Sequence, residues 1–89
     1  MARVLVVDDK EENVCYLRTL LEAGGHQAIV ASNGAIALEK AQGAPPDIII
    51  SDLLMPQMDG YALLQAWKSD SVLRSIPFIV YTATYTQPE

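Results

Sequence analysis

The sequence predicts an α/β domain with a parallel, doubly wound sheet covered by helices on both faces. Three observations carry this. Its short apolar runs lack the alternation of a half-exposed strand, segments with helical spacing separate them, and acidic or hydroxyl residues fall at the run ends. Parallel strands joined through helices imply right-handed crossovers.

Val4-Leu5-Val6-Val7 is too short for a helix and stops at Asp8-Asp9, so it reads as a first strand buried on both faces. Val14, Leu17, Leu20 and Leu21 then recur at three- and four-residue spacing until Gly24-Gly25, the pattern of an amphipathic helix with a glycine stop. The single cysteine, Cys15, falls in this helix and is expected to pack against it. His26 to Ala31 forms a second strand, with His26 at its exposed start. Ser32-Asn33-Gly34 supplies cap chemistry for a helix carrying Ala37, Leu38 and Ala41, which Gly43, Pro45 and Pro46 break. Asp47 to Ser51 is a third apolar strand that delivers Asp52 at its end. Asp59 can cap a helix with Tyr61, Leu63, Leu64 and Trp67 on its apolar side. The Ile76-Pro77 step restarts extended chain, and Phe78-Ile79-Val80-Tyr81 is a fourth strand ending at Thr82.

With 89 residues there is room for one domain, and the scaling of surface with mass leaves roughly 64% of the chain's surface buried, enough for a thin core. A composition 51% hydrophobic and 19% charged excludes a disordered chain. No apolar run approaches the roughly 20 residues of a membrane span, and the N-terminus lacks the pattern of a secretory signal, so the expected compartment is the cytoplasm and no membrane partner is expected. A net charge of −5 is the wrong sign for a phosphate-backbone binder, which argues against direct nucleic-acid binding.

Ligands of parallel α/β sheets sit beyond the carboxyl ends of the strands. Asp8 and Asp9 follow the first strand, Asp52 the third and Thr82 the fourth, so chain order places three carboxylates and a hydroxyl at one edge. Carboxylates held close repel, and either a proton or a cation must neutralise them. Oxygen ligands suit a hard divalent ion, and magnesium fits better than zinc, which would call for histidine and thiolate ligands that one histidine and one cysteine cannot supply. Beside such an ion a carboxylate can attack a phosphoryl group to give an acyl phosphate, and Asp52 is favoured because the loop containing Pro56 and Gly60 follows it. Asp9 has a second reading as a cap of the first helix, completed as a capping box by Glu12.

Together these residues resemble the receiver domain of bacterial two-component response regulators, the CheY-like family. Val4-Leu5-Val6-Val7-Asp8-Asp9 is similar to the family's opening strand and acidic pair. Asp52-Leu53-Leu54-Met55-Pro56-Gln57-Met58-Asp59-Gly60 resembles its phosphoacceptor loop, and Thr82-Ala83 its hydroxyl step after the fourth strand. The resemblance implies a flavodoxin-like sheet of order 2-1-3-4 and phosphorylation of Asp52 by a histidine kinase or phosphotransfer protein. It implies Mg2+ bound by Asp9, Asp52 and the backbone carbonyl of Leu54, with Asp8 acting through water. It also implies a Thr82 hydroxyl that bonds the phosphoryl group, and a conformational readout. A domain of this kind is not an enzyme beyond catalysing its own phosphorylation and dephosphorylation.

The sequence also departs from the family. A whole receiver has five strands and five helices, and residues 1–89 are expected to be an incomplete receiver domain, truncated after the fourth strand. They lack the last helix-strand-helix elements, the fifth-strand lysine that faces the phosphoryl group and the switch aromatic. Lys10, Lys40 and Lys68 lie on helices and do not replace that lysine. The fourth strand becomes an apolar edge, and self-association through it and the first helix is expected, as a dimer or by exchange of elements. The alternative function is therefore a protein-interaction or dimerisation module that keeps the receiver scaffold without phosphotransfer. A haloacid-dehalogenase-type phosphatase would need an aspartate where Lys10 stands, and a dinucleotide-binding domain a glycine-rich turn where Asp8-Asp9-Lys10 stands.

Overall fold

A computed structural model of the chain describes residues 1–53, 55 and 58–81. Its elements are β1 (Arg3–Val7), α1 (Glu11–Ala23), β2 (Gln27–Ala31), α2 (Gly34–Gly43), β3 (Ile48–Asp52), α3 (Gly60–Ser69), a 3-10 turn (Leu73–Ser75) and β4 (Phe78–Tyr81). The strands form one parallel sheet in the order β2-β1-β3-β4. This is the expected sheet and strand order.

The central strand β1 is buried from Val4 to Val7 and pairs on both sides, Val6 opposite Val30 of β2 and Ile50 of β3. Successive strand side chains point to opposite faces. Leu5, Val7 and Ile49 enter a core with Ala37 and Ala41 of α2 and with Leu63 and Trp67 of α3, while the buried Val4, Val6 and Val14 lie outside that cluster. Thus α2 and α3 cover one face of the sheet and α1, through Val14, the other. Trp67 closes the larger core: its indole N–H donates to the Ile76 carbonyl at 3.2 Å, and its ring meets Phe78 edge-on at 5.7 Å between centroids.

Local chemistry sets the helix ends. Asn33 and Asp59 cap α2 and α3 by accepting from the Ile36 and Ala62 amides, each at 2.9 Å. Helix α1 starts at Lys10 with no side-chain cap, so the Asp9–Glu12 capping box does not form; Glu11 and Glu12 instead place negative charge in its first turn. Gly25, at φ 85°, turns the chain out of α1 in a conformation that glycine adopts without strain. Asp70 accepts from the Val72 and Leu73 amides at 2.9 and 3.0 Å, and these bonds, the one from Leu73 foremost, hold its carboxyl below the usual range.

A Cβ at Gly60 would lie 2.5 Å from the Asp52 carbonyl oxygen and 2.8 Å from Leu53 Cα. Real Cβ atoms do not come that close to backbone, so α3 begins directly on the chain that leaves β3, and the Gly60 N–H donates to the Leu53 carbonyl at 3.0 Å.

Several expectations need correction. Cys15 is exposed and does not pack into the core, because the buried side of α1 is as narrow as Val14. Leu20 is exposed and Leu17 half-buried, so the apolar stripe of α1 is narrower than its spacing suggested. Tyr61, at 60% exposure, leaves the core to Leu63 and Trp67, the buried side chains of α3. His26 and Asp47 fall just outside their strands, and Asp52 falls inside β3.

Candidate functional site

The carboxyl ends of β1 and β3 bring Asp8, Asp9 and Asp52 together, and each offers an oxygen within 4.8 Å of the others. Asp8 and Asp52 are buried, and Asp9 is exposed. The Val7–Ser51 register partnership fixes this convergence, because it ends two neighbouring parallel strands at the same level. Leu54 and Thr82, the other residues singled out for the site, lie outside the described residues, as does Pro56.

Asp8 is held by three donors. Its Oδ1 accepts from the Lys10 amide at 2.9 Å; its Oδ2 accepts from Asn13 Nδ2 at 3.1 Å and from the Tyr81 hydroxyl. Asp52 Oδ1 accepts from the Leu53 amide at 2.8 Å. The Asp8 amide bonds the Ala31 carbonyl at 3.1 Å, which ties the acidic turn to the end of β2. An open cleft of about 820 Å³, with Asp8, Asp9, Glu12, Arg18 and Ser32 in its walls, leads from the cluster along the α1 side.

Sequence reasoning did not single out Asn13 or Tyr81. Asn13 sits in the first turn of α1, five residues beyond Asp8, where a helix opening after the strand can turn a side chain back. Tyr81 is the register partner of Asp52, so the two point to the same face of the sheet. The available signal was a polar-tipped aromatic as the last residue of an otherwise apolar strand. Burial, then the bond to the Asp8 carboxylate, pushes the Tyr81 hydroxyl far above its ordinary value, so it is a proton donor at neutral pH.

The donor set suits a hard cation. It consists of oxygens alone, two of the three carboxylates are shielded from water, and like charges this close gain from a divalent ion between them. The softer ligands are elsewhere: His26 Nδ1 accepts from the Ala2 amide at 3.0 Å, and Cys15 lies exposed on α1.

The sequence matches the family described as "Response regulator receiver domain" over residues 4–89. It is 43% identical over 82 residues to the response regulator PleD of Caulobacter vibrioides, covering 92% of this chain and 18% of that protein. It is 39% identical over 80 residues to the polar-differentiation response regulator DivK of Brucella anthropi, covering 90% of this chain and 65% of that one. The chain thus spans less than two thirds of the length of these relatives. Its fold superimposes on the N-terminal domain of a response regulator receiver protein from Methanoculleus marisnigri with a TM-score of 0.90 at 38% identity, over 99% of this chain and 72% of that one. The acidic cluster at the strand ends, the order β2-β1-β3-β4 and these likenesses together place the chain in the response regulator receiver domain family.

Proposed function

We propose that residues 1–89 act as a receiver in which Asp52 accepts a phosphoryl group from a histidine kinase or phosphotransfer protein, in the cytoplasm and in a Mg2+-dependent reaction. The observation that carries this is the convergence of Asp8, Asp9 and Asp52 within 4.8 Å. Asp9, Asp52 and the Leu54 carbonyl would hold the ion, with Asp8 acting through water. When bound, the ion supplies positive charge to the phosphoryl oxygens and relieves the repulsion among the carboxylates.

Asp52 supplies the nucleophilic oxygen. A bond forms from that oxygen to phosphorus as the phosphorus–nitrogen bond of the donor's phosphohistidine breaks, and the leaving imidazole takes up a proton. Asp52 is fully buried, so transfer requires local opening beside it. The Thr82 hydroxyl then donates to a phosphoryl oxygen; a charge-assisted bond of this kind contributes about 1.5–3 kcal/mol, enough to bias a switch between states of similar energy. Catalysis by the chain is confined to its own phosphorylation and dephosphorylation.

Incubation with acetyl phosphate and Mg2+, followed by intact-mass and peptide analysis, tests the reading. The expected result is one added phosphoryl group per chain, on the peptide holding Asp52, absent when EDTA replaces the metal. No uptake over hours would leave the alternative, an interaction module without phosphotransfer.

One observation favours self-association as well. Ile79 and Val80 of β4, the edge of the described sheet, are 46% and 39% exposed. An apolar edge strand invites pairing with a second chain. Light scattering is expected to show dimer rising with concentration in the micromolar range, and less dimer in Ile79→Lys. A wild-type protein that stays monomeric throughout would refute it.

A further inference from the structure

Both lone-pair positions of Asp8 Oδ2 are engaged, one by Asn13 and one by Tyr81. The two donors differ in kind. Asn13 lies on the helix that follows Asp8 directly, so its bond is local. Tyr81 is 73 residues away and reaches Asp8 only because β4 stands next to β3, with Tyr81 in register with Asp52. The hydroxyl thus bridges the β4 end to the β1 end of the acidic cluster. It brings the positive end of a dipole to a place where three carboxylates need one.

We propose that Tyr81 is a positioning residue that occupies the Asp8 carboxylate in the cation-free protein and is displaced when Mg2+ binds, so that metal uptake breaks a link between β1 and β4. This rests on the receiver reading of the acidic cluster and adds to it a role for Tyr81. A cation, or a water on it, that approaches Asp8 must use the remaining position on Oδ1 or displace a donor from Oδ2. Tyr81 is the donor free to leave, because its release alters no turn or helix start, whereas the Lys10 amide and Asn13 belong to the opening of α1. The same hydroxyl therefore stabilises the empty cluster and competes with the ion that fills it.

Calorimetric titration of the 89-residue chain with MgCl2 tests this, comparing wild type with Tyr81→Phe. Loss of the competing bond, a charge-assisted one, is expected to tighten Mg2+ binding about ten- to a hundredfold in Tyr81→Phe. A residue that merely supported the fold would weaken binding when altered, so the direction of the change is diagnostic. The wild type carries a second readout that does not depend on the variant's folding. Saturation with Mg2+ is expected to produce a tyrosine difference spectrum in the ultraviolet as the hydroxyl leaves its carboxylate, and Tyr61→Phe, altered at an exposed ring on α3, should retain it. Equal or weaker Mg2+ binding by folded Tyr81→Phe, or a wild type that binds Mg2+ with no tyrosine signal, overturns the proposal and leaves the receiver reading standing. Absence of Mg2+ uptake by both proteins at millimolar concentrations overturns the metal-site reading and this proposal with it.

Discussion

Asp52→Asn is expected to melt higher than the wild type in metal-free buffer and lower than it in saturating Mg2+, and to take up no phosphoryl group from acetyl phosphate in either. The reversal follows from the packing of like charges. Carboxylate oxygens within 4.8 Å of one another repel by about 3 kcal/mol per pair at an effective dielectric near 20, and by less where exposed Asp9 is screened. Removing the buried charge of Asp52 leaves the amide oxygen to accept from Leu53, while the new NH2 group can donate to a neighbouring carboxylate. A net gain of about 1 kcal/mol raises the melting temperature of a domain this size by about 4–8 °C. Magnesium changes the order. A ligand at one hundred times its dissociation constant stabilises the protein it binds by about 2.7 kcal/mol, and a variant without the carboxylate proposed to hold the ion is expected to gain none of it. Thermal melts with and without Mg2+ measure both effects. An Asp52→Asn protein that melts lower without metal, or that gains from Mg2+ as much as wild type, would contradict this account of the cluster.

The second large effect concerns the fold. Trp67 is 1% exposed, donates to the Ile76 carbonyl and meets Phe78 edge-on, so one side chain joins α3, the chain entering β4 and the sheet. Truncating a buried tryptophan to alanine costs about 3–5 kcal/mol. Typical stabilities of 0.05–0.15 kcal/mol per residue give a domain of this length about 4–13 kcal/mol in total. Trp67→Ala therefore removes about a quarter of the stability or more, and where a cost near 5 kcal/mol meets a total near 4 kcal/mol it leaves the chain largely unfolded at room temperature. Denaturant unfolding is the measurement. Trp67→Phe, which keeps a ring but loses the bond to Ile76, should fall between the two, and a loss below about 1 kcal/mol for alanine would mean that the core can collapse around the gap.

The sheet was legible because its signals are local and repeated. Val4 to Val7, Ile48 to Ile50 and Phe78 to Tyr81 are each apolar and uncharged, and chain order fixes which strand ends carry the acids. The meeting of Asp8, Asp9 and Asp52 could be anticipated for the same reason: ends of neighbouring parallel strands lie together whatever their side chains do. The bond between Tyr81 and Asp8 could not, because it depends on the depth to which β4 slides against β3 and on a ring long enough to cross β3. Cys15 and Tyr61 misled because helical spacing marks a stripe but not its width. A helix that buries Val14 alone, or one that starts on a neighbouring backbone, leaves the stripe's margins in water.

Between the first residue of α3 and the carbonyl of Asp52 there is space for a hydrogen atom and nothing larger. The acidic residue and the helix are geared to each other, and neither can shift without carrying the other. Ten residues of helix make a rod of about 15 Å, so a tilt of a few degrees at the Gly60 end becomes a sweep of about an ångström beyond Trp67. The helix is a lever with its fulcrum at Asp52, and its long arm ends at the hydrophobic joint that seats β4.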